Sequence, residues 1–175
     1  MILIVFLFGI YLSLSYYALA KSNIHELIVA CLESETNLYP PKLAQFYMYN
    51  FRGNKDDLEY LQKHNGLGFI FSSTSKHRDT LFQYASFFLE KGLNINTVGF
   101  DGFTALHGAI LANQPTDVSF LLNNGADINV RVGYSRIYGA NEKTSLFGMD
   151  AIELASHLAK NDKQDRSMIV EMLTK

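Results

Sequence analysis

The chain has 175 residues, 15 of them basic and 17 acidic, with a net charge of −2 and a pI near 6.2. Near-neutral charge removes the electrostatic case for nucleic acid or an anionic membrane surface as partner. A single cysteine, Cys31, excludes an internal disulfide, a Cys-rich zinc site and a two-Cys redox motif.

Residues 1–20 carry no charged side chain, and only Gly9, Ser13 and Ser15 interrupt their apolar run. Such a run is just long enough to span a bilayer as a helix. A secretory signal needs a shorter apolar core followed by small residues where the peptidase cuts. Ile2–Leu14 supplies the core, and Ala18 and Ala20 fall at −3 and −1 relative to Lys21. The departure is a basic leader reduced to the terminal amine, and no cysteine directly follows the core to take a lipid. The expectation is a signal peptide over 1–20 and export, with an uncleaved membrane anchor as the alternative. The remaining stretch, 21–175, has the composition of one soluble domain long enough to bury a core.

The first predicted elements of that domain are a capping helix at about 23–35 and a helix pair at about 40–64, interrupted by Arg52-Gly53-Asn54. Downstream the chain repeats itself. Phe88-Leu-Glu-Lys-Gly-Leu-Asn-Ile-Asn96 and Leu121-Leu-Asn-Asn-Gly-Ala-Asp-Ile-Asn129 lie 33 residues apart, with Gly92 and Gly125 in register. Each follows apolar residues at helical spacing (Leu81, Phe82, Ala85, Phe88, Leu89; Val118, Leu121, Leu122), which bury one helix face. A glycine then ends the helix, because the next residue favours the left-handed region. Between the copies, Asp101-Gly102 makes a tight turn, and Thr104 is placed to cap a helix with His107 three residues inside it.

These residues resemble the ankyrin repeat family. D-G-x-T-A-L-H-x-A at Asp101–Ala109, a polar break at Asn113–Thr116 and V-x-x-L-L-x-x-G-A-D-I-N ending at Asn129 make one full repeat, and the 33-residue period is the family's own. Ala105 stands where proline is frequent. Weaker copies occupy 66–96, where Gly68-Phe69-Ile70-Phe71 replaces T-x-L-H, and 148–175, with Asp150 in the capping place and Glu153 where His107 stood. The resemblance implies an all-α solenoid of about four helix–turn–helix repeats (40–64, 66–96, 101–129, 148–175) joined by extended fingers. It also implies binding of a protein partner rather than catalysis.

Site chemistry is sparse. Val29 stands where a zinc-protease helix starting at His25-Glu26 needs its second histidine, and the five histidines show no metal-ligand spacing. No phosphate-binding loop or nucleophile elbow is present. Cys31, among Ile28, Val29 and Leu32, reads as a buried inert thiol. The charge runs at Lys55-Asp56-Asp57, Lys76–Asp79 and Lys160–Arg166 read as solvated faces. No cofactor, metal or catalytic constellation is expected.

One finger is enlarged. Five residues separate Asn96 from Gly102, whereas eighteen separate Asn129 from Gly148. In this 130–147 stretch Arg131, Tyr134, Arg136 and Tyr138 alternate with Val132 and Ile137, as on a short ribbon turning near 139–142. Tyrosine and arginine dominate binding hot spots, and long insertions in repeat proteins map to one exposed face. Phe100, at the preceding finger tip, is a further candidate. The sequence thus reads as an exported, non-enzymatic binding module similar to small periplasmic ankyrin proteins of Gram-negative bacteria. Its expected partner is a periplasmic enzyme or toxin that it inhibits or stabilises, as an immunity protein would. The alternative is a secreted effector engaging host proteins, and contact with the membrane is expected only through the signal peptide.

Overall fold

The computed structural model describes residues 2–32, 40–72, 78–136, 144–161 and 163–175. The chain divides into two units, Met1–Leu58 and Glu59–Lys175. Among the described residues the regular structure is entirely helical, apart from a single bridge residue at Ser135.

In the first unit, α1 (Ile2–Lys21) is apolar on all sides, and its Leu3–Lys21 stretch is long and apolar enough to cross a membrane. Most of α1 is exposed, but its C-terminal turns are not bare. Ser15 and Leu19 are buried, and the Tyr16 ring meets Tyr47 edge-on at 5.3 Å between centroids. α2 (Ile24–Leu32) begins at a reciprocal cap: Glu26 N donates to Asn23 Oδ1 at 2.9 Å, and Asn23 N donates to Glu26 Oε2 at 3.1 Å. Its apolar face, Ile24, Leu27, Ile28 and Cys31, packs on α3 (Pro41–Phe51), which contributes Ala44, Tyr47 and Met48. Pro41 opens α3 at the first helical position, where a missing N–H costs nothing. α2 falls within the range expected for a capping helix, about 23–35, of which 33–35 lies outside the described residues. α4 (Lys55–Lys63) straddles the division between the units, as does the expected 40–64 repeat.

The second unit stacks three helix pairs: α5 (Leu67–Phe71) with α6 (Arg78–Glu90), α7 (Ala105–Leu111) with α8 (Pro115–Asn123), and α9 (Ala151–Asn161) with α10 (Ser167–Leu173). The first helices, α5, α7 and α9, form one row, and α8 packs on α10 in the other. This is the all-α repeat solenoid that the resemblance implies. Ile70, Leu81, Phe88, Leu106, Ile110, Val118, Leu121, Leu154 and Ile169 are buried through it. Phe82 and Phe120 stack nearly parallel at 4.6 Å, with Phe71 completing the cluster, so aromatic faces join α5, α6 and α8.

The two copies found by sequence end their helices alike. Leu93 N reaches back to Phe88 O at 2.9 Å, and Ala126 N to Leu121 O at 3.0 Å, across the positive-φ glycines Gly92 and Gly125. The bases of successive fingers are also tied, because Asp127 N donates to Asn96 Oδ1 at 2.9 Å.

The charge runs depart from expectation in part, since two of them contribute a buried residue and Arg78 in the third is half-buried in an ion pair. Asp57 is buried, where its carboxylate accepts from Gly53 N and forms an ion pair with Arg52. Arg78 pairs with buried Asp117 at 3.0 Å. Arg166 is 4% exposed, and its guanidinium donates to the carbonyls of Ile110 and Leu111, capping the C-terminal end of α7. Helix ends carry unpaired carbonyls and partial negative charge, so a cation there is doubly favoured. Arg166→Met keeps most of the stem but removes the charged donors from both carbonyls, leaving Ile110 O with its backbone bond from Asn113 N. It should cost about 2 kcal/mol, the scale of buried hydrogen bonds from a charged donor, read from urea unfolding followed by circular dichroism. A change within error would mean that solvent satisfies the α7 end.

Candidate functional site

The enlarged finger is built on the one before it. Leaving Asn129, the chain runs through Arg131–Tyr134 without helix. Val132 is buried and pairs with the returning strand of chain: Val132 N donates to Met149 O and Gly148 N to Val132 O, both at 2.9 Å. Further out, Gly133 N donates to Gly102 O at 2.8 Å and Arg136 N to Phe100 O at 2.6 Å. Phe100 is gripped from its other side too, because its N–H donates to Asn65 Oδ1 at 2.8 Å. Asn65 was not singled out by sequence; its only signal is an asparagine at a helix exit, and it takes the left-handed conformation there, with φ of 77°.

Gly102 has two reasons to be glycine. Its φ is +87°, and a Cβ added there would sit 2.6 Å from Gly133 O. The Asp-Gly turn is thus also the seat on which the next finger rests. Asp101 closes the turn by accepting from Phe103 N at 3.1 Å.

Thr104 and His107 form the capping box of α7. His107 N donates to Thr104 Oγ1 at 3.3 Å, and Thr104 N donates to His107 Nδ1 at 3.1 Å. With Nδ1 accepting, the proton sits on Nε2, which hydrogen-bonds the Val130 backbone. This buried ring therefore joins α7 to the start of the long finger. Burial holds its pKa below the ordinary 6.5, with the Val130 bond and the Asp150 charge opposing.

The candidate contact residues separate by environment. Phe100 and Tyr134 are large and 41% and 46% exposed, and the Tyr134 ring leans on Phe147 at 4.6 Å. Arg136 is exposed as well. Arg131 is engaged within the fold: Nη1 donates to Gly148 O at 2.6 Å and to Glu153 Oε2 at 3.2 Å. Glu153 and Asp150 are themselves the reciprocal cap of α9. Arg131 thus clips the finger's base to α9. Ile137, Tyr138 and the expected ribbon turn at 139–142 lie outside the described residues. Gly92 and Gly125 lie at helix ends.

Beside the fingers, between α5 and α7, lies a cavity of about 330 Å³. Gly68, Ala105, Gly108 and Ala112 make small walls, while Asp101 and the Arg78–Asp117 pair bring charge to it. Burial pushes the Asp117 carboxyl above its ordinary range, and Arg78 and Thr116 only partly offset this. Among the described residues no cluster of three histidine, cysteine or acidic side chains comes together that could hold a metal ion.

Comparison with known families assigns the central unit. Residues 101–132, which hold α7, α8 and the first part of the long finger, match the ankyrin repeat model. The chain thus carries an ankyrin repeat within an all-helical solenoid, a scaffold for protein–protein interaction. It matches none of the curated proteins with which it was compared.

This geometry has two measurable consequences. Gly125→Ala meets only backbone strain, about 1 kcal/mol, since nothing lies within 4 Å of the new Cβ. Gly102→Ala adds a backbone clash and should cost clearly more, with the long finger displaced; equal costs in urea unfolding would contradict the seat. For His107, the unfolded chain binds the proton more readily than the folded one. Stability is therefore full above pH 6.5 and lost as pH falls from there through the folded pKa. His107→Gln should flatten that part of the stability profile measured between about pH 7 and about pH 5, whereas an unchanged slope would place the titration elsewhere.

Proposed function

We propose that this protein is an exported, non-enzymatic binding module whose second and third fingers hold one protein partner. The observation that carries the reading is the pairing of exposure with rigidity. Phe100 and Tyr134 present large aromatic side chains to solvent from backbone hydrogen-bonded on neighbouring fingers. Preorganised aromatic anchors lose little entropy on binding, which is what hot spots require. Arg136 adds a cation beside them, Arg131 fixes the base, and Tyr138 extends the same stretch of chain.

Export is supported by α1, a helix long and apolar enough to cross a membrane, as a signal sequence or an anchor would be. The partner in this reading is an enzyme or toxin of the periplasm, which the module inhibits or stabilises in an immunity-type role. An enlarged, asymmetric finger suits a single specific target better than a general scaffold does.

The test is quantitative capture from the producing cells with the C-terminally tagged full chain, beside a Phe100→Ala, Tyr134→Ala, Arg136→Ala variant of unchanged helicity. Loss of two anchors at about 2 kcal/mol each should abolish recovery of the partner. Equal recovery sinks the finger reading. Fractionation that finds the protein beyond the envelope would replace the periplasmic role with that of a secreted effector.

A further inference from the structure

We infer that the α5–α7 cavity receives a cationic side chain of the partner protein, its head group paired with Asp117 and its stem lying along the small residues of α5 and α7. This rests on the reading of the second unit as a protein-binding surface and names what the partner must bring to it.

Three observations lead there. The cavity, about 330 Å³, sits at the low end of ligand sites and suits one long side chain rather than a cofactor. Its walls are open by composition: Gly68, Ala105, Gly108 and Ala112 leave no side chain to fill the space, and a Cβ placed at Gly108 would meet nothing within 4 Å. Asp117 is 1% exposed, and its Oδ1 has no partner in hydrogen-bond geometry among the described residues, although Arg78 Nη1 lies 3.0 Å from Oδ2 and the Thr116 side chain also bears on the carboxylate.

A buried carboxylate with one idle oxygen is costly unless a donor completes it. The local charge decides which donor. Asp101 and Asp117 contribute two carboxylates against the single Arg78 guanidinium, so an anion is repelled and a second cation is wanted. A lysine or arginine can lay its apolar stem on Ala105 and Ala112 while its head reaches the acids. Phe103, at the rim, offers an aromatic face to the same charge.

The experiment is an NMR titration of the full chain in detergent micelles, following the amides of Gly68, Gly108 and Ala112. The probes are an Ala-Ala-Arg-Ala-Ala peptide, the same peptide with citrulline for arginine, and free ethylguanidinium. Expected are saturable shifts with the arginine peptide, weakened roughly fivefold by citrulline or by Asp117→Asn, as loss of charge from a hydrogen bond implies. Asn keeps the size and removes a charge that burial disfavours, so this variant should fold, and an unchanged far-ultraviolet spectrum checks that it has. Citrulline binding as well as arginine, or no shift with the arginine peptide, overturns the assignment. Binding of ethylguanidinium but not of the peptide overturns it too, because the guest is then a free small cation. Phe100→Ala with Tyr134→Ala should leave peptide binding unchanged. The cavity can therefore fail while partner capture stands, and the finger reading can fail while the peptide still binds.

Discussion

An inserted loop has to place its backbone N–H and C=O groups somewhere, and a long one without helices of its own cannot do so locally. The described residues 130–136 of the finger place several of them on neighbouring chain. Val132 exchanges hydrogen bonds with the returning chain at Gly148 and Met149, Gly133 leans on Gly102, and Arg136 leans on Phe100. The proposed binding surface depends on that borrowing. Because Asn65 holds Phe100 from the opposite side, the chain from Asn65 through the long finger is linked by backbone and amide hydrogen bonds rather than by packing alone.

The ankyrin-type elements serve the same end. His107 completes the cap of α7, and its other ring nitrogen reaches Val130, the first residue of the insertion. Gly102 makes the turn and also leaves room for the backbone of the next finger. Arg131, its side chain still 60% exposed, ties the finger's base to the cap of α9. An ordinary repeat thereby becomes a platform on which two exposed aromatics are held, beside a cavity lined by Asp101 and Asp117.

The parts readable in the sequence were those governed by local rules. Gly92 and Gly125 announce helix ends because a left-handed residue follows the last turn, and Thr104-x-x-His107 announces a cap because both partners lie within one turn. Alternation at Arg131–Arg136 marks buried Val132 against its exposed neighbours in the same way. Pairings across the stack stayed hidden. Asp57 and Arg166 sat in charge runs that look solvated, and nothing in their spacing points to Arg52 or to the α7 carbonyls. The Arg78–Asp117 pair is likewise a contact between layers. A buried charge is identified by its partner, and a partner in another repeat comes from the fold alone. Nor does composition reveal that the end of the apolar leading helix packs on α3 through Tyr16.

The most direct measurement is amide hydrogen exchange at Val132, Gly133 and Arg136 in the native chain. A finger pinned to its neighbours predicts exchange far slower than in an unstructured peptide at all three, with Gly133 and Arg136 accelerated together by Gly102→Ala. Exchange of Gly133 and Arg136 at unstructured rates in the native protein would contradict it, because Phe100 and Tyr134 would then stand on a loose loop rather than on a built surface.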